Sequence, residues 1–119
     1  MAAIVKLEDA RLYLRVDSYY DDENILNLLA SAEALCSNIA RLSAEEWNAI
    51  CDYSADSTGG LTIRSEDKSH AEILQIKDLL RVAVLYTLGY LYEHREEADH
   101  HDLNLTLRNL LASVREGVL

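Results

Sequence analysis

The sequence predicts an all-α fold, a single small domain of about five helices packed around a long buried helix in the C-terminal half. Three observations carry this. Proline is absent from the 119 residues and glycine occurs four times, so strong helix breakers are scarce. Apolar residues recur at helical spacing over most of the chain. The stretch Glu72 to Arg95 is so apolar, from Leu79 to Leu91 in particular, that its whole circumference is expected to lie inside. Residues 1–119 are therefore read as one domain, long enough to bury a single core.

Taken in order, Leu7, Ala10, Arg11 and Leu14 sit at helical spacings behind Glu8 and Asp9, which predicts a short first helix stopping near Arg15. Asp21 or Asp22 followed by Glu23 is a suitable cap and first turn for a second helix. Its Ile25, Leu28, Leu29, Ala32, Leu35, Cys36 and Ile39 form one apolar face. Ser43-Ala44-Glu45-Glu46 matches a capping box, in which a serine and a glutamate each satisfy a free backbone N–H, and it opens a third helix carrying Trp47, Ile50 and Cys51 inward. Residues 54–66 break the periodicity around Gly59-Gly60 and are expected to form a long loop, either disordered or an ordered arm that touches a partner. Leu61 to Arg64 alternates like a short extended piece within it.

The long helix follows, capped by Asp67 or Ser69 and closing at Tyr92 and Arg95, where a cation suits the negative end of the helix dipole. Gly89 inside it predicts a close approach by a neighbouring backbone. Arg81, the one charge in its most apolar run, is expected to pair with Asp78 one turn earlier, with an acid on another helix or subunit as the alternative. Tyr86 and Tyr90 are expected in the core with their hydroxyls near the surface. The polar run Glu96 to Asp102 ends this helix, and a last one begins near Asn104 with Leu107, Leu110, Leu111 and Val114 on one side.

The chain offers little that reads as catalysis. His94, Asp99, His100, His101 and Asp102 lie close together but fit no usual zinc spacing, and a solvated polar turn is the better reading. Asp17, Asp21, Asp22 and Glu23 lack the alternation and glycine of a calcium loop and are read as helix-start residues. Cys36 and Cys51 fall at apolar helical positions and are expected to be reduced core residues of a protein made inside the cell, with no signal peptide ahead of them. No phosphate loop, dinucleotide fingerprint or nucleophile elbow is present. No enzyme, cofactor, metal or membrane span is therefore expected. The formal net charge of −10 disfavours tight binding to nucleic acid, which needs cations to displace counterions from phosphates.

The order of these pieces resembles the phage head-tail connector, or DNA-packaging adaptor, family. The resemblance begins at Leu7-Glu8-Asp9-Ala10-Arg11-Leu12-Tyr13-Leu14-Arg15-Val16-Asp17 and continues through Asp22, Ile25, Leu28, Leu29 and Ala32. It returns over Ala83 to Arg95, with Leu91-Tyr92-Glu93-His94-Arg95, and closes at Leu110-Leu111-Ala112-Ser113-Val114-Arg115. The region from Arg41 to Asp67 departs from it. The resemblance implies a non-catalytic virion or prophage protein, made in the host cytoplasm and placed at the head-tail junction. There it would join a ring of about a dozen copies between the portal protein and a tail-side head-completion protein, with DNA passing through an acidic lumen. Arg15, Tyr92, Arg95 and Arg115, together with Gly59 and Gly60 of the loop, are the candidate contacts to neighbours or between helices. The alternative is a small acidic regulatory protein that binds one partner through a helical groove.

Overall fold

The computed structural model describes residues 3–16, 21–94 and 101–116. Six helices are present among them, α1 (Leu7–Leu14), α2 (Asp22–Ala40), α3 (Ala44–Asp52), α4 (His70–Glu93), α5 (His101–Leu110) and α6 (Ala112–Glu116). Between α3 and α4 lies an antiparallel hairpin of β1 (Leu61–Ile63) and β2 (Glu66–Lys68), with Thr62 opposite Asp67. The fold is mostly α, as the sequence predicts, apart from this hairpin. α5 and α6 correspond to the single last helix expected, which starts three residues earlier than Asn104. The bonds Leu111 N–H to the Leu107 carbonyl and Arg115 N–H to the Leu111 carbonyl carry the helical pattern across the break.

The core is built on the contact between α2 and α4. Ile25, Leu29, Ala32, Cys36 and Ile39 form the buried face of α2; Ile73, Ile76, Leu80, Ala83, Val84, Thr87 and Leu88 form that of α4. Cys36 Sγ lies 3.5 Å from Thr87 Oγ1, with small residues Ala32, Ala40 and Ala83 on the same two faces, so the helices approach closely. Thr87 also donates to the Ala83 carbonyl one turn back, 2.8 Å, so its buried hydroxyl is satisfied. Each fully buried Leu or Ile on α4 contributes about 1.5–3 kcal/mol.

The start signals read from the sequence hold. Ser43 accepts from Glu46 N–H and Glu46 accepts from Ser43 N–H; Ser69 and Glu72 make the same reciprocal pair at the start of α4, so Ser69 and not Asp67 is the cap. α2 begins at Asp22, although the Asp21 side chain does not bond the helix start. α4 ends at Glu93, with His94 donating its N–H to the Tyr90 carbonyl, two residues short of the end the sequence suggested.

Residues 54–66 are ordered. Tyr53, buried, donates its hydroxyl to the Gly59 carbonyl at 2.6 Å, and the same oxygen lies 2.7 Å from His70 Nδ1. The hairpin that follows is fixed by Ile63 in the core and by Arg64, whose N–H donates to Glu46 Oε2 at 2.6 Å and whose guanidinium donates to the Val114 carbonyl at 3.1 Å. Its two-residue turn, Arg64-Ser65, has φ of 54° and 65°. Both values are what a type I′ turn demands, normally from Asn and Gly. No Asn-Gly or Asp-Gly marks the turn, which is why the loop reading missed it.

Four expectations for α4 are overturned. Its circumference is not buried all round: Ala71, Gln75, Asp78, Val82, Tyr86 and Glu93 form an outer face, with Val82 55% and Tyr86 41% exposed. The covering elements are too few, since α1 has only eight residues and lies over one flank. Tyr86 is thus a surface residue, while Tyr90 is half-buried. Arg81 pairs with Asp9 of α1, Nη2 to Oδ2 3.4 Å, and Asp78 stays on the exposed face; the arginine is half-exposed, so no desolvated charge demanded the local partner. At Gly89 the close neighbour is a side chain: an added Cβ would stand 3.1 Å from the Tyr13 ring.

The turn geometry yields a stability prediction. Ser65→Gly removes a positive-φ penalty from an exposed residue and is expected to stabilise the fold by about 0.5–1 kcal/mol. Gly59→Ala, at φ 78° in open space, is expected to destabilise by about 1–2 kcal/mol through the same penalty. Urea denaturation of the two variants against the parent measures both signs.

Candidate functional site

The candidate contact residues divide between intrachain roles and one open surface. Arg15 occupies the left-handed position after α1, φ 58°, where its N–H donates to the Leu12 carbonyl and its side chain is exposed. Tyr92 donates its hydroxyl to Asp21 Oδ2 at 3.4 Å, tying the end of α4 to the start of α2. Arg115 Nη1 donates to the Ile39 carbonyl at 3.4 Å, near the C-terminal end of α2, where a cation also meets the dipole. Gly59 supplies the carbonyl held by Tyr53, and Gly60 lies so close to the Lys68 carbonyl that a Cβ there would collide with it. Arg95 lies outside the described residues, as do Asp17, Asp99 and His100.

Arg15 borders a cleft of about 590 Å³ between the end of α1 and the outer face of α4, lined also by Tyr13, Tyr86, Gly89, Tyr90 and Glu93. At its edge His94 stacks on Tyr90, centroids 4.3 Å apart. Leu12, 77% exposed, and Tyr13, 49% exposed, stand on α1, and Val82 and Tyr86 on α4, so among the described residues four of the six large apolar side chains most open to solvent belong to these two contacting helices. Sequence patterning placed Tyr86 inward because it follows the apolar run; only the shortness of α1 decides otherwise.

A second concavity, about 270 Å³, lies between α2 and α3 and is lined by Glu33, Ala34, Asn38, Leu42, Trp47 and Asn48 among others. Glu33, only 5% exposed, accepts the Ile4 N–H at 2.7 Å and also a bond from the Val5 N–H, so it anchors the segment preceding α1. Burial raises its pKa above the usual carboxylate value, the two N–H groups opposing the shift in part. No feature of the sequence marked this glutamate, which sits one residue from the apolar face of α2.

The remaining titratable groups act locally. Glu46 is pushed up by partial burial, but the N–H groups of Ser43 and Arg64 outweigh that and hold it low. Glu72 is held low chiefly by the Ser69 N–H. Burial pushes the thiols of Cys36 and Cys51 up to about 11 each. Arg11 pairs with Asp22 at 3.2 Å, joining α1 to α2. Lys77 of α4 donates to the carbonyls of Cys51 and Tyr53, 2.9 and 2.6 Å, closing the end of α3. Among the described residues no three His, Cys, Asp or Glu side chains converge as metal ligands would, and no helix is long and apolar enough to cross a membrane.

No family model, no curated protein and no solved structure matches this chain.

Two solution measurements follow. A folded pKa raised by burial means that Glu33 adds stability fully present below its unfolded value and lost as pH rises through the folded one. Removing that charge in Glu33→Gln is therefore expected to shift the stability difference in the variant's favour as pH goes from about 4 to about 7, measured by urea melts across that range. The thiols are expected to resist iodoacetamide at neutral pH in the native protein and to react once it is unfolded, because only the thiolate is nucleophilic; mass spectrometry of the adducts reads this directly.

Proposed function

We propose that this chain is a structural adaptor subunit of the phage head-tail connector type, a protein that meets copies of itself in a ring at the portal vertex and bridges to a tail-side head-completion protein. The resemblance carried by the ordered sequence motifs from Leu7 to Asp17, Ala83 to Arg95 and Leu110 to Arg115 suggests the class. The observation that carries it furthest is the exposure of Leu12 and Tyr13 on α1 and of Val82 and Tyr86 on α4, with Arg15 and Glu93 lining the cleft that Tyr13 and Tyr86 share. Large apolar residues exposed together on two contacting helices mark contact with another macromolecule. A rim bearing both signs of charge suits a partner that carries the same net charge of −10, because a uniformly acidic face would repel a second copy.

In this reading α4 is the beam of the subunit and α1 its contact shoulder, while Tyr92 and Arg115 keep the helix ends in register. The acidic remainder of the surface would face passing DNA without holding it. Virion location and the portal and tail-side partners belong to the same proposal.

Native mass spectrometry over a range of concentrations tests it. Closed rings of many copies are expected, and Val82→Asp, on the exposed face, is expected to weaken their assembly by about tenfold or more, equivalent to about 1.4 kcal/mol, with the monomer still folded. A strict monomer at high concentration would sink the proposal and favour the acidic regulator that binds one partner at this surface.

A further inference from the structure

We propose that the concavity between α2 and α3 is a binding site for a primary alkylammonium group, with Glu33 as its counter-ion. Glu33 is almost wholly buried, yet among the described residues no Lys, Arg or His pairs with it. Its partners are two backbone N–H groups of the segment before α1, which satisfy hydrogen-bonding capacity but carry no charge. A carboxylate taken out of water without a cation is costly, and Glu33 is among the residues lining an open space of about 270 Å³ that a cation can enter.

The other walls suit the same ligand. Asn48 contributes a buried Oδ1 with no hydrogen-bond partner, and it lines the same space, as does the more exposed Asn38. An ammonium head has three donors and no acceptor, so carboxylate and amide oxygens are the groups it needs. Ala34, Leu42 and Trp47 form the apolar part of the lining, against which a short alkyl chain can lie. Trp47, whose buried Nε1–H also has no partner and would need an acceptor other than the ammonium, is the side chain best able to attract a cation through its ring. Burial raises the pKa of Glu33, in keeping with a missing counter-ion, and a bound ammonium would lower it. The cysteines that feel the Glu33 charge, Cys36 and Cys51, are neutral thiols at physiological pH, and Lys77 is engaged by the carbonyls of Cys51 and Tyr53.

Trp47 is the chain's one tryptophan, so its emission reports on this concavity alone. The test is a fluorescence titration of the full chain with n-butylammonium chloride, alongside n-butanol and tetramethylammonium chloride at matched ionic strength. A saturable change is expected with n-butylammonium, with n-butanol and tetramethylammonium at least about tenfold weaker, since one lacks the charge and the other the N–H donors. Glu33→Gln is expected to abolish saturation, and Ala34→Leu, which fills the space from an exposed helical position without touching the carboxylate, is expected to do the same. If Glu33→Gln does not fold, the leucine variant alone decides. No saturable change in the parent, an equal response to n-butanol, or saturation that survives either folded variant would overturn the site. None of these outcomes depends on ring assembly, so the two proposals fail separately.

Discussion

The close seam between α2 and α4 is the constraint on which the remaining architecture rests. Cys36 and Thr87 meet at its middle with neither helix interposing a large side chain, and Ala32, Ala40 and Ala83 keep the spacing small. Tight contact of this kind leaves little latitude, because an added methyl in a close-packed interior forces neighbours out of their rotamers. The other helices pack against this pair. α1 lies across it with Arg11 on Asp22 to one side and Arg81 on Asp9 to the other. α3 is fastened to α4 through Lys77, and the α5–α6 segment supplies Leu103, Leu107, Leu111 and Val114 from below the seam's end.

A second organising feature is the reuse of single polar groups for two tasks. Glu46 completes the capping box of α3 with one oxygen and holds the hairpin through the Arg64 N–H with the other. Arginine recurs where the chain turns left-handed, at Arg15, Arg41 and Arg64. A glycine would relieve strain at those positions, yet the arginine at 64 repays part of it by reaching the Val114 carbonyl. The hairpin is thereby joined to both the start of α3 and the end of the chain's described part.

What the sequence disclosed follows from how local each signal is. The capping box at Ser43 involves residues three apart and is present as read, while the reading left Asp67 or Ser69 open for α4, where the structure shows a second such box at Ser69. The apolar face of α2 is a property of spacing alone, and its inward residues agree with the structure. Several failures involve a distant partner. Arg81 found Asp9 across 72 positions, Gly89 accommodates a tyrosine ring from α1, and Glu33 receives N–H groups 29 positions away. The outer face of α4 is apolar for reasons that spacing cannot express, since burial there depends on how much of α4 the short α1 covers. The hairpin escaped notice because its turn uses Arg and Ser where the usual signal is Asn-Gly. For the candidate sites, the helix-end arginines and Tyr92 were visible as residues but not as bonds, and the concavity at Glu33 was not visible at all.

The Tyr53 hydroxyl has one proton to give, and the Gly59 carbonyl, which has none, takes it. The imidazole nitrogen 2.7 Å away on His70 must then be the one carrying hydrogen, so the lone pair of that ring resides on Nε2. The tether between the glycine loop and the start of α4 is thus a directed relay, imidazole N–H to phenol oxygen and phenol O–H to carbonyl. Its polarity runs one way, from the helix start to the loop, so a single phenol oxygen sets the direction of both bonds.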